Sequence, residues 1–183
     1  MKKSFIFSGS GGQGIMSAGI MLAHTAIDMH KHSTYLPEYG PEQRGGSAKC
    51  TVVISDGEIV SPLPKKCDNL IVMNEQAYKK HEACLKEGGL LLINSSLVRQ
   101  EHVRDDVKVI AANVDDIALK LGNIKASNII LIGILIGATN IVAKEVFVQS
   151  LEEKFKSKKP EVLELNLKAL EAGVEIGRKH AEE

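Results

Sequence analysis

Ser4-Phe5-Ile6-Phe7-Ser8-Gly9-Ser10-Gly11-Gly12-Gln13-Gly14-Ile15 is the stretch whose reading decides the fold. Its apolar triplet with small flanks predicts a short buried strand, Ser4 to Ser8, that stops at Gly9. From Ile15 the period changes, because Ile15, Ala18, Gly19, Leu22 and Ala26 recur at helical spacing. The opening unit is therefore strand, glycine loop, helix. Gly9, Ser10, Gly11, Gly12, Gln13 and Gly14 satisfy G-x-G-x-x-G in the context that gives the pattern meaning. Glycines turn tightly and bring backbone N–H groups close to a ligand. The helix start adds unpaired N–H groups and a partial positive charge, a combination suited to phosphate or carboxylate. A tight packing turn that binds nothing would look the same, and there Gln13 is only a good helix residue. A dinucleotide site also needs an acid at the end of the second strand. Glu38 is the candidate, but it lies between Pro37 and Tyr39 in what reads as a rigid loop.

Outward from this unit, strands alternate with helices. Ser33–Leu36 reads as a short second strand, and Ala48–Ser55 is rich in strand formers. Asp56-Gly57 before Glu58-Ile59-Val60 predicts an antiparallel hairpin. Leu70–Met73 is a continuous apolar run, as in a strand buried on both faces. Asn74 is a plausible N-cap for a helix to about Leu85, ended by Gly88-Gly89. Further strands follow at Leu90–Ile93 and Val107–Ala112, then a helix from about Val114 to Leu121. The last third is helical: Ala126–Ala138 is apolar all round, Ala143–Phe155 is amphipathic, and a helix starts at Pro160. Gly133-x-x-x-Gly137 permits close helix packing, inside the chain or between subunits. The expected class is α/β: a Rossmann-like, mostly parallel sheet with an inserted β-hairpin, helices on both faces and a C-terminal helical segment. Residues 1–183 are expected to form one domain, or one domain with a helical extension.

Composition narrows the function. Lys+Arg and Asp+Glu are both 23, a balance that argues against generic nucleic-acid binding. Lys2-Lys3 is followed by glycines rather than by a leader's apolar stretch, and the longest apolar run, Ile129–Ala138, is too short for a bilayer. A cytoplasmic protein without membrane partners is expected. Cys50, Cys67 and Cys84 contain no Cys-x-x-Cys, so a zinc or iron–sulfur site in this chain alone is not expected, and free thiols fit a reducing compartment. His30-x-His32 has no third ligand nearby in sequence.

Tyr39-Gly40-Pro41-Glu42-Gln43-Arg44-Gly45-Gly46 is the most unusual segment. Pro41 stiffens it, Gly45 and Gly46 leave room for a close neighbour, and Arg44 carries a fork for carboxylate or phosphate. A plain surface Arg44–Glu42 pair is the simpler alternative. This segment, the glycine loop, Ser55-Asp-Gly-x-Ile59 with Pro62, Asp68-x-Leu-x-x-x-Asn74 and Asn128-Ile-Ile-Leu-Ile-Gly133 together resemble the gamma subunits of 2-oxoacid:ferredoxin oxidoreductases. The resemblance reaches to about Gly137, and the Tyr-Gly-Pro-Glu-x-Arg-Gly-Gly form is most similar to the 2-oxoglutarate branch. It implies a complex that converts a 2-oxoacid, coenzyme A and oxidised ferredoxin to acyl-CoA, carbon dioxide and reduced ferredoxin. It implies thiamine diphosphate, Mg, iron–sulfur clusters and coenzyme A in the complex, none of them bound by this chain alone. The implied partners are the alpha, beta and delta subunits, with ferredoxin reached through the complex. Gly9, Ser10, Gly11, Gly12, Gln13 and Gly14 would face the cofactor-binding assembly. Tyr39, Glu42, Arg44, Gly45 and Gly46 would be interface or site-wall residues, and no catalytic residue is assigned. The alternative is an NAD(P)- or nucleotide-binding module acting without partner subunits.

Overall fold

The computed structural model describes residues 1–40, 46–99 and 104–182. They group into two compact units, Met1–Asn113 and Val114–Glu183. The first is a six-stranded sheet of β1 (Lys2–Ser10), β2 (His32–Tyr39), β3 (Ser47–Ser55), β4 (Cys67–Val72), β5 (Leu85–Asn94) and β6 (Lys108–Ala112). Their order is β2-β3-β1-β4-β5-β6. β1, β4, β5 and β6 pair in parallel, and β3 runs antiparallel between β1 and β2. This is the mixed, mostly parallel sheet expected of the α/β class.

Register assigns the two faces. Phe7 lies opposite Cys50 and Ile71, and Ile6 opposite Thr51 and Leu70. Helix α1 (Ile15–Asp28) packs on the Phe7 face. Gly19 lets it approach, since a Cβ there would lie 3.2 Å from the Tyr35 ring and 3.5 Å from Val52. Helix α2 (Glu75–His81) covers the opposite face, where Ala77 and Tyr78 bury against Ile6, Leu70, Val72, Leu91 and Ile93. Helices thus occupy both faces of the sheet. β1 and β4 are strapped together at both ends. Asp68 accepts from Ser4 N (2.8 Å) and Ser4 Oγ (2.7 Å) at the start, and Asn74 Nδ2 donates to Ser10 Oγ (2.9 Å) at the end.

Three local expectations differ from the structure. The antiparallel hairpin is β2–β3, and Glu58–Val60 form no strand. Both edges of β3 are already paired, to β1 and β2, so no edge remains for a third strand. Pro37, Glu38 and Tyr39 belong to β2 rather than to a loop. β2 is an edge strand, and there a proline's missing N–H is tolerated. Gly88 and Gly89 lie within β5 instead of ending a helix. Gly88 adopts φ +68° and donates to Asp106 O (2.7 Å), beside the register shift between Cys67 and Asn69.

The second unit holds α3 (Val114–Lys120), α4 (Ser127–Thr139), α5 (Lys144–Phe155) and α6 (Pro160–Ala181). α4 is buried on every side through Gly137, which matches its all-round apolar sequence. The Gly133/Gly137 pair faces a matching pair on α6, Gly173 and Gly177. A Cβ on Gly133 would lie 2.5 Å from Leu170 O and 3.0 Å from Gly173 Cα. Close packing at this motif is therefore within the chain.

Candidate functional site

The chain leaves β1 toward β2 on one side of the sheet and leaves β4 toward β5 on the other. The carboxyl ends of β1 and β4 are thus a topological switch point, where open α/β sheets offer a crevice. Gly9–Gly14 lies there. A cleft of about 830 Å³ opens beside it, walled by Ser10, Gly11, Gly12 and Gly14, the first turn of α1, and Tyr39, Gly40, Gly46 and Ser47.

The glycines of the loop do different things. A Cβ on Gly9 would meet Gln13 Oε1 at 2.6 Å and Met73 Cβ at 2.9 Å, so Gly9 is needed for packing. Gly12 has φ +96°, with nothing within 4 Å of a Cβ, so its demand is conformational and its surroundings are open. Gly14, at φ 77°, sits at the N-cap of α1 with no side-chain cap, and the first turn holds no acid. Side-chain charge therefore does not oppose an anion at that helix end. Lys80 lies nearby, with Nζ 3.4 Å from Ser47 Oγ.

Gln13 folds back onto its own loop. Its Oε1 accepts from Ser10 N (2.6 Å) and from Asn74 Nδ2 (3.0 Å). Asn74 Oδ1 also caps α2 by accepting from Ala77 N (2.9 Å). One amide side chain therefore fixes the glycine loop and starts the next helix. The Asn-capped helix was legible in the sequence, but the second role of Asn74 was not. Its signal was the position of Asn74 one residue beyond a buried run.

Of the residues singled out in sequence, Ser10, Gly11, Gly12, Gly14, Tyr39 and Gly46 meet at the cleft. Gly9 and Gln13 support it from outside its lining. Gly11 N donates to Gly46 O (2.9 Å), joining the two motifs, and Tyr39 is 72% exposed at the rim. Glu42, Arg44 and Gly45 lie outside the described residues. Ile15, Met16, Ser17, Ser47 and Ala48 complete the wall and were not anticipated as site residues, and Gly40 joins them from the segment that begins at Tyr39.

Glu38 does not serve as a ribose acid. It sits on β2, with β3 intervening before β1, and pairs with Lys49 at 2.8 Å. Nor do the thiols fit an iron–sulfur cluster. Cys50 lies on β3 and Cys67 on β4, with β1 between them, so the thiols are not gathered at one point. Among the described residues, no group of three His, Cys, Asp or Glu is placed to hold a metal ion. No described helix is long and apolar enough to cross a membrane.

Residues 4–176 match the pyruvate ferredoxin/flavodoxin oxidoreductase family. The chain belongs to that family. Within it, the chain is 36% identical to the 2-oxoglutarate synthase subunit KorC of Methanocaldococcus jannaschii, covering 97% of this chain and 95% of that protein. It is 33% identical to the ketoisovalerate oxidoreductase subunit VorA of Methanothermobacter marburgensis, covering 96% of this chain but spanning only 36% of that longer relative. Among solved structures it is similar to the gamma subunit of a keto/oxoacid ferredoxin oxidoreductase from Geobacter sulfurreducens. There the TM-score is 0.80 at 35% identity, over 96% of this chain and 98% of that one. A 2-oxoglutarate:ferredoxin oxidoreductase from Magnetococcus marinus shares the fold, with TM-score 0.91 at 20% identity over 97% of this chain and 31% of that one.

Proposed function

We propose that the chain acts as the gamma subunit of a 2-oxoglutarate:ferredoxin oxidoreductase. The complex converts 2-oxoglutarate and coenzyme A to succinyl-CoA and carbon dioxide and passes electrons to ferredoxin. The observation that carries this reading is the near end-to-end match to KorC at 36% identity. Thiamine diphosphate, Mg and the iron–sulfur clusters belong to the alpha, beta and delta partners in a cytoplasmic complex.

The chain's own contribution is one wall of the coenzyme A site. Coenzyme A supplies the thiol that accepts the acyl group, and its phosphates match the chemistry of the cleft. Gly12 leaves its backbone accessible, the first turn of α1 directs N–H groups outward, and Lys80 adds positive charge at the rim. Asn74 and Gln13 hold the loop in shape. Tyr39 and Gly46 lie at the rim that meets a partner chain, and the family resemblance gives Glu42, Arg44 and Gly45, between them in sequence, the same interface role.

The test is turnover by the complex assembled from this chain and its larger subunits. Coenzyme A-dependent ferredoxin reduction is compared for 2-oxoglutarate, pyruvate and 3-methyl-2-oxobutanoate. A kcat/KM at least tenfold higher for 2-oxoglutarate is expected. Preference for another oxoacid would reassign the substrate, and failure to assemble would overturn the subunit role.

A further inference from the structure

Far from the glycine loop, at the opposite ends of β1 and β4, a second cleft of about 440 Å³ is bordered by Lys2, Lys65, Lys66 and Lys86 around Ser4 and Asp68. Only Lys86 is committed there, to Asp68 at 2.8 Å. The Asp68 carboxylate is also occupied by Ser4 N and Ser4 Oγ. Lys2, Lys65 and Lys66 form no ion pair within 4 Å among the described residues, although Lys66 is near enough to Asp106 to favour its charge. In a chain of net charge +0 this is a local excess of positive charge.

The same β3–β4 loop exposes apolar side chains: Val60 is 92% and Leu63 59% accessible. The loop is pre-shaped. Ser61 Oγ bonds both the N–H (3.3 Å) and the carbonyl (3.4 Å) of Leu63, and Pro62 and Pro64 fix their own φ angles. Exposed apolar side chains on the loop that also carries Lys65 and Lys66 suit a protein partner, and a preset loop loses little entropy on docking.

We propose that this loop and its lysine cleft dock a carboxylate-bearing surface of another subunit of the complex. The inference rests on the gamma-subunit reading and adds a second interface, remote from the cleft at Gly11–Gly14. The features favour a protein over a small anion, because the lysines are exposed and Asp68 lines the same cleft. They favour a protein over nucleic acid, because the basic patch is short and interrupted by acid.

The test measures the affinity of the chain for the remaining assembled subunits across a salt series. It compares wild type, Lys2→Glu/Lys65→Glu/Lys66→Glu, and Val60→Asp. Wild-type binding should weaken as salt rises. The triple variant should bind at least tenfold more weakly at low salt and lose most of the salt dependence, and Val60→Asp should also bind more weakly. Wild-type affinity and salt slope in both variants would overturn the docking face. The same holds if the triple variant loses only the binding of inorganic pyrophosphate or duplex DNA. A wild-type chain that fails to assemble would overturn the subunit reading, and this proposal with it. If the triple variant's isolated melting temperature falls, Val60→Asp carries the test alone, since that side chain is almost wholly in solvent.

Discussion

Gly11 donates its backbone N–H to the carbonyl of Gly46 at 2.9 Å. One residue follows β1 and the other precedes β3, so the bond brings together two loops that are distant in sequence. Because β1 and β3 are themselves paired along their length, the bond continues the ladder past the end of the sheet. The mouth of the cleft is therefore held by a backbone hydrogen bond.

Asn74 should be the most sensitive polar residue of the site. Asn74→Ala removes the cap on Ala77 N and the donors to Ser10 and Gln13. The expected loss is roughly 1–2 kcal/mol in urea unfolding, from one lost cap and its linked hydrogen bonds. Asn74→Asp keeps the cap acceptor but not the donors, and should recover part of that loss.

The glycine pairs of α4 and α6 predict a position-specific pattern. Gly133→Ala drives a methyl against Leu170 O and Gly173 Cα. The helices must separate, at a cost of about 1–3 kcal/mol for overpacking. Gly57→Ala, where a Cβ meets nothing within 4 Å, should lie within about 0.5 kcal/mol of wild type. Thermal unfolding of the two variants checks both.

Asp68 predicts a pH dependence of stability. Burial opposes its charge, but bonds from Lys86 and Ser4 prevail and hold its pKa below the usual carboxylate value. A lowered folded pKa stabilises fully above the unfolded value of about 3.9, and that stabilisation fades as pH falls through the folded value. Asp68→Asn should therefore be less stable than wild type near neutrality. The gap should narrow at the acid end of a pH series of urea unfolding curves.

The thiols should separate by accessibility. Cys50 and Cys67 are buried and shifted up to about 12, while Cys84 is partly exposed. A thiol reagent at pH 8 should label Cys84 first, and all three only after unfolding. Fast labelling of Cys50 in the native state would contradict the packing of α1 on β3.

Much of this architecture is legible in the chain. Phe5–Phe7, Leu70–Met73 and Leu90–Ile93 announce buried strands, because an apolar run of that length has few other fates. Asp56-Gly57 misled because a turn signal is local, whereas pairing depends on which edges the rest of the sheet leaves open. Gly88-Gly89 misled for a related reason, since the same residues that end helices also allow a bulge in a strand. Of the α4–α6 contact, Gly133 and Gly137 were conspicuous in an apolar helix. Gly173 and Gly177 carry the same spacing but sit among charges, where only the packed structure shows their purpose. In the site, the glycines were readable as a loop. That Gln13 and Asn74 brace it from behind depends on β1 and β4 being neighbours, which no local pattern reveals.

The central claim is that the cleft at Gly11–Gly14 is a wall of the coenzyme A site. Gly12 decides it, because φ +96° rejects a branched side chain, at about 1–3 kcal/mol of local strain, while the space around it is open. The measurement is steady-state kinetics of the assembled complex carrying Gly12→Val, with coenzyme A and the 2-oxoacid varied in turn. The account predicts a KM for coenzyme A raised at least tenfold and a KM for the 2-oxoacid near wild type. An unchanged KM for coenzyme A in a fully assembled, folded complex would contradict it.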